Sequence, residues 1–374
     1  MAQDSTCTTE TLGALDDYVL LGRSGLRISP LCLGTMTFGE KWKIGANYEG
    51  SKEIFDYYFE KGGNFFDTAN IYNHGESERF LGEYIADKRS QVVVATKYTF
   101  NSNLGGNVKY NPNAGGNHRK CLVENLDESL KRLGTGYVDI LYVHAWEFRT
   151  PAEEVMRSLD DVIRSGKALY VAISDTPAWV IRHTNTIADL RGWSRFIGLQ
   201  TRYNLLDRSM EYDLQSVCAE FDVGIVPWGC IAEGFLTGKY TKESVTNANI
   251  GNIGARSDSV TKLVNVERNW EILDEVKAIA SEIKRSPVQV ALNWISQKPG
   301  VTSPLIGAKT KAQLEENLKA LEFKLTPEQM ARLDAVSTPK EIPFPYNFLA
   351  TSAFYIGKNL QTPDKYKPVL NMST

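Results

Sequence analysis

One rhythm restricts this chain more than any other feature. Short apolar runs that read as strands fall at about Leu31–Thr35, Asn64–Phe66, Val92–Lys97, Val138–His144, Leu169–Ser174, Ile197–Gln200, Gly224–Trp228 and Ser303–Ile306. Amphipathic stretches with helical spacing lie between them, among them Ser51–Lys61, Leu122–Leu133, Ala152–Ser165, Trp179–Leu190, Asp213–Phe221 and Gln313–Leu321. Pro151, Pro177 and Pro327 each open a helical stretch, where a fixed φ and a missing N–H cost nothing. Strands alternating with helices give parallel β/α units. Eight such units favour a closed (β/α)8 TIM barrel over an open, doubly wound sheet. No G-x-G-x-x-G follows any strand, which argues against a Rossmann domain.

The organisation follows from that rhythm. Residues 1–17 read as a disordered polar tail, and residues 18–338 as the barrel with its cofactor and substrate site. The barrel is introduced by a small β-hairpin, Y-V-L-L-G-R-S-G-L-R-I-S, with Ser24-Gly25 in the turn. Two long loops, Tyr98–Asn117 and Thr237 to about Val264, follow strands and so belong at the C-terminal face. Residues 339–374 form a tail carrying Phe344, Tyr346, Phe348, Phe354 and Tyr355. Such a tail is expected to bury some of these rings, either in a pocket wall or on the barrel exterior.

Composition excludes several function classes. A net charge of −3 over 374 residues gives no general electrostatic case for nucleic acid or an anionic membrane. Cys7, Cys32, Cys121, Cys218 and Cys230 are scattered without C-x-x-C, and the four histidines form no metal-ligand motif. Free thiols in a reducing compartment and no metal are the expectation. The first 17 residues contain acids but no Lys or Arg, unlike a signal peptide. No apolar run approaches the roughly 18 residues of a membrane span. A cytoplasmic protein is expected.

Catalysis on a barrel of this kind sits where strands give way to loops at the C-terminal face. Asp67, Tyr72, Lys97 and His144 all fall at or just beyond such strand ends. Singly, each has an ordinary reading: a turn cap, a rim aromatic, a solvated charge, a core histidine. Together they describe an acid. A Lys ammonium beside a phenol favours phenolate and lowers its pKa. A carboxylate holds that ammonium, and an imidazole can hydrogen-bond a substrate oxygen. The set can protonate a carbonyl oxygen as hydride reaches its carbon.

D-T-A-N-I-Y-N-H-G-E-S-E-R-F-L-G, then T-K, L-Y-V-H and V-P-W-G-C-I-A-E-G-F-L-T-G-K-Y, resembles the aldo-keto reductases in motif order, over roughly Tyr18–Ser337. S-D-T-P-A-W resembles the branch containing aryl-alcohol dehydrogenases. The resemblance implies a barrel that binds NADPH without a Rossmann domain and reduces aldehydes or ketones to alcohols. It implies Tyr72 as general acid, Lys97 and Asp67 as its tuners, and His144 as the residue orienting the carbonyl. For the cofactor it implies Thr35 and Asp67, with Ser174, Asp175 and Gln200 on the carboxamide and Tyr203 stacked on the nicotinamide. Trp228, Gly229, Cys230 and Ile231 would run beneath the pyrophosphate, with Lys239 and Arg256 on phosphate. Gly307, Lys309, Gln313, Glu316 and Asn317 would meet the adenosine end; the alternative for the last three is an ordinary exposed helix face. Lys309 offers charge to a 2′-phosphate, which favours NADPH over NADH.

Three positions depart from the common pattern. Asp175 stands where many members have Asn, and an ionised carboxylate accepts from a carboxamide NH2 but cannot donate to its oxygen. Gly229 stands where Ser is frequent, and the Arg common near Gln313 is missing. Phe38, Trp42, Tyr98, Trp146 and the aromatic tail either line an apolar pocket for aromatic or bulky carbonyl substrates or pack beneath loops. Oligomeric state is not legible. An alternative of another class is a nicotinamide-binding redox sensor or regulatory subunit, like potassium-channel beta subunits, against which His144 speaks. A metal-dependent barrel hydrolase lacks its ligands.

Overall fold

The computed structural model describes residues 13–101, 111–242, 257–349 and 355. A two-stranded antiparallel ribbon comes first, β1 (Val19–Leu20) against β2 (Arg27–Ile28). The remaining strands are β3 (Cys32–Gly34), β4 (Phe65–Asp67), β5 (Val93–Tyr98), β6 (Val138–Val143), β7 (Ala168–Ser174), β8 (Phe196–Arg202), β9 (Gly224–Trp228) and β10 (Leu305–Ile306). They form one eight-stranded sheet in the order β10-β3-β4-β5-β6-β7-β8-β9, every pairing parallel. A parallel bridge between Ile225 and Val301 brings the two edges together, with Thr302 N–H donating to Ile225 O at 2.8 Å. The eight-stranded barrel and its hairpin are those expected, each strand within two residues of its place.

Burial explains why the strands read as unbroken apolar runs. Every residue of β5 and of β6 is buried, because one face lines the barrel and the other meets helices. Phe65, Ala95, Ile140, Tyr142, Ala172 and Val226 fill the interior. Leu21 and Ile28 of the hairpin belong to the same cluster and plug the barrel's N-terminal end. Gly22, at φ 51°, permits that plug: a Cβ there would sit 2.2 Å from Ile197 O. The outer face, with Phe66, Val94, Leu141, Val171 and Leu199, packs on the helices.

Those helices are α1 (Tyr48–Glu60), α2 (Glu76–Tyr84), α3 (Arg119–Leu133), α4 (Ala152–Arg164), α5 (Ala178–Arg191), α6 (Leu214–Phe221), α7 (Ser257–Val264), α8 (Glu267–Glu282), α9 (Pro287–Ser296), α10 (Lys311–Leu318) and α11 (Pro327–Ser337). α9 was not singled out from its pattern. All residues from Val288 to Ile295 are buried, so no polar face sets a helical period for a reader to find. Its start is still signed, by a capping box between Ser286 and Gln289. α7 interrupts what reads as a long polar loop.

Two boundaries differ from expectation. Residues 13–17 are part of the fold: Leu15 is in the core, and Asp17 closes a turn by accepting from Ala14 N–H at 2.9 Å. In the C-terminal tail, Phe344, Phe348, Leu349 and Tyr355 are exposed. Only Tyr346 among the described rings of the tail is partly covered, stacked on Tyr212 at 5.6 Å. Phe354 lies outside the described residues. No described helix is long and apolar enough to cross a membrane, and no group of His, Cys, Asp and Glu among the described residues is placed to hold a metal ion.

Candidate active site

Side chains alternate along a strand, so inward positions recur every second residue. Ala95 is inward, hence Lys97; Tyr142 is inward, hence His144; Phe65 is inward, hence Asp67. β4, β5 and β6 are neighbours, and pairing of Asp67 with Ala95 and of Lys97 with Tyr142 brings the three polar ends to one place. The Lys97 ammonium donates to Asp67 at 2.5 Å, to Thr68 O at 2.9 Å and to the Tyr72 hydroxyl at 3.1 Å. Gln200 on β8 donates to the other Asp67 oxygen at 2.9 Å. The His144 ring stands 6.0 Å from that of Tyr72, nearly perpendicular to it.

Tyr72 is not on a strand, so its position depends on the turn that carries it. Asn73 and His74 both adopt left-handed φ, 47° and 55°, which Asn tolerates better than most residues. The Asn73 amide donates to Met36 O and Phe38 O, and its oxygen accepts from Trp42 N–H at 2.9 Å. That clamp sets the Trp42 ring edge-on to Tyr72 at 5.9 Å. At the start of α2, Ser77 shares hydrogen bonds with Thr35 and Thr68 and also donates to Thr35 O. Asn73 and Ser77 were missed from sequence; the N-H-G run after Tyr72 was the available signal for a left-handed turn.

Electrostatics correct one expectation. Burial raises the Tyr72 pKa; Lys97 lowers it, but Asp67 and Asp175 raise it again, and the net is upward. The phenol is therefore held protonated, not acidified. Burial works against the Lys97 ammonium, yet Asp67 and Tyr72 outweigh it and hold its pKa above the usual value. Burial and then Lys97 push His144 well below the ordinary imidazole value, so the ring is neutral. Its buried Nδ1 has no hydrogen-bond partner among the described residues.

On the far side of Asp67 lie β7, β8 and β9. Asp175, at a left-handed φ of 42°, accepts from the Trp228 indole N–H at 3.0 Å. Burial raises the Asp175 pKa against the pull of Trp228, Lys97 and Arg202. Trp228 is half-exposed, with the Arg202 guanidinium 5.9 Å over its ring. Tyr203, expected to stack on a nicotinamide, does not fit that role. It is completely buried, its hydroxyl bonded to Glu211 and its ring on Trp294. One residue past Arg202, it falls on the outer face of the sheet; Trp228 is the aromatic available at the mouth.

The other expected cofactor residues divide. Thr35 is buried and donates to Asp67 O at 3.0 Å, so its hydroxyl braces the end of β4 and does not face a ligand. Ser174 is buried beside Asp175. The Cys230 thiol is turned inward onto Pro227 O and Leu305 O, and Ile231 packs on the core, leaving only their backbone to the loop. Gly229, at φ 67°, and Lys239 are accessible. Gly307 is exposed, with nothing within 4 Å of where a Cβ would stand, and Lys309, Gln313 and Glu316 are exposed beyond it. Gln313 accepts from Lys309 N–H, and Asn317 donates to Gly307 O, fixing that turn. Arg256 lies outside the described residues. A flat ring against Trp228, with a backbone-lined path past Gly229 and an open Gly307, suits an extended dinucleotide.

Of the expected substrate residues only Trp42 reaches the mouth. Phe38 is buried edge-on to Tyr84, Tyr98 is buried with its hydroxyl on Asn117 O, and Trp146 is nearly covered. These rings pack beneath loops. Phe100, not expected, is 40% exposed and lies 4.6 Å from the His144 ring.

The sequence model of the Aldo/keto reductase family matches residues 30–338. A norsolorinic acid reductase of Aspergillus flavus is 35% identical over 88% of this chain and 83% of its own length. An aryl-alcohol dehydrogenase (NADP+) of Phanerodontia chrysosporium is 33% identical over 88% of each chain. A versiconal hemiacetal acetate reductase of Aspergillus parasiticus is 33% identical over 87% of this chain and 98% of its own.

Proposed function

The chain belongs to the aldo/keto reductase family, and from that premise we propose that it reduces aldehyde or ketone groups of aromatic or bulky apolar compounds to alcohols, using NADPH. The observation that carries this reading is the Tyr72 hydroxyl at 3.1 Å from a buried Lys97–Asp67 ion pair. Tyr72 is protonated across the neutral range and is the group that gives its proton to the carbonyl oxygen. The Lys97 ammonium stabilises the phenolate left behind, and Asp67 with Gln200 keeps that ammonium oriented. Neutral His144 donates its one ring N–H to the same oxygen.

Trp228 and Asp175 would hold a reduced nicotinamide, which when bound would supply the hydride for the carbonyl carbon. Gly229, Lys239, Gly307, Lys309, Gln313, Glu316 and Asn317 would hold the remainder of that group. Lys309 gives charge for a 2′-phosphate, and the relative named for NADP+ supports the same preference. The names of the relatives, reductases and an aryl-alcohol dehydrogenase, support carbonyl reduction and aromatic substrates.

The test is oxidation of NADPH, followed by absorbance, against aromatic, aliphatic and sugar-like carbonyl compounds, with Tyr72→Phe beside the wild type. Turnover of at least one class by the wild type and its loss in the variant is the expected result. NADPH binding without turnover across the panel would overturn the reading in favour of a regulatory nicotinamide-binding subunit.

A further inference from the structure

The chain leaves β5 by an unusual route. Thr99 adopts φ 111°, a conformation that a β-branched residue avoids because its side chain crowds the backbone. Such an outlier persists only where its surroundings over-determine it. Thr99 Oγ1 accepts from the Asn117 amide at 3.0 Å and from His144 N–H at 3.2 Å. Thr99 O accepts from Gly116 N–H at 2.7 Å. On the next peptide, Phe100 O accepts from the buried Asn70 amide at 2.8 Å. Four hydrogen bonds from three other segments thus fix the two residues after the catalytic strand.

The consequence is the position of one ring. Phe100 is laid across the His144 imidazole, 4.6 Å between centroids and tilted by 54°. At the other end Trp42, held by Asn73, meets Tyr72 at 5.9 Å. Tyr72 and His144, the two groups able to hydrogen-bond a carbonyl oxygen, therefore stand between two partly exposed aromatic walls on separate loops. Aromatic side chains contribute most when a flat partner offers its face or edge.

Resting on the carbonyl-reductase reading, we propose that Phe100 is a specificity-determining residue: fixed by the strained Thr99 turn, it forms with Trp42 a slot that favours planar aryl carbonyl compounds over flexible aliphatic ones. The test compares kcat/KM for 2-naphthaldehyde and hexanal, with NADPH, in the wild type, Phe100→Ala and Phe100→Trp. Phe100→Ala should lower the aryl-to-alkyl ratio about tenfold, chiefly through a higher KM for naphthaldehyde, and Phe100→Trp should keep it. A ratio in Phe100→Ala within about twofold of the wild type overturns the proposal while leaving the reductase reading intact. Wild-type protein that reduces neither aldehyde counts against that reading itself. Circular dichroism of Phe100→Ala separates lost selectivity from lost fold.

Discussion

Asp175, the residue after β7, accepts a hydrogen bond of 3.0 Å from the indole of Trp228 on β9, across the intervening end of β8. The half-exposed Trp228 is thereby held by a residue in left-handed conformation. Removing the acceptor in Asp175→Ala should free the indole and weaken NADPH about tenfold. Asp175→Asn retains an oxygen that can accept and should bind more tightly than the Ala variant. Quenching of tryptophan fluorescence on NADPH titration checks this; equal losses in both variants would mean charge, not positioning, is the role.

Tyr203 should behave differently from Trp228. Tyr203→Phe removes a hydroxyl bonded to buried Glu211, which Arg208 also grips at 2.8 Å and 2.9 Å. Its expected effect is a stability loss of about 1 kcal/mol, read by urea denaturation, with NADPH affinity unchanged. Trp228→Ala should show the reverse. Loss of cofactor affinity in Tyr203→Leu, which removes the ring, would restore the stacking role to that residue.

On the proposed reading, Tyr72 should set the alkaline limit of reduction. Its pKa is raised above its ordinary 10.0, and the acid must be protonated to act, so the rate should stay level through neutrality and fall only above about pH 10. Lys97→Met removes the cation beside Tyr72 and leaves buried Asp67 without its charged partner. Reduction should fall about a hundredfold or more, with about 3 kcal/mol of stability lost. An alkaline limb already present near pH 8, at about two units lower, would contradict the raised phenol pKa.

His144 ties stability to pH on the acid side. Its folded pKa lies well below 6.5, so the unfolded chain takes up a proton that the folded one refuses. Its contribution is complete above pH 6.5 and declines as pH falls from there toward the folded pKa. Between about pH 6.5 and 5.5 the wild type should lose about 1 kcal/mol more than His144→Asn, measured by denaturant unfolding. Parallel losses would place the acid sensitivity elsewhere.

Much of this was legible because strands have period two. The spacing from Phe65 to Asp67, Ala95 to Lys97 and Tyr142 to His144 converts an apolar pattern into a set of inward polar ends. The same parity exposes the errors. Tyr98 follows inward Lys97 by one residue and must face out, and Tyr203 stands at an odd distance from inward Gln200. Other features had no local signal. The upward shift of Tyr72 depends on burial first, then on Asp67, and least on Asp175, more than a hundred residues along the chain. Phe100 could not be placed because a left-handed turn at Thr99 is written by no glycine.

Asp67, Lys97 and His144 inherit their mutual distances from adjacent parallel strands, about 4.8 Å apart by the geometry of the ladder. Trp42 and Phe100 hang from loops that the ladder does not constrain. Exchange of those loops would alter which molecules are admitted while the proton donor's supports kept their footing. On the proposed roles, chemistry and choice of substrate would be separately heritable in this chain.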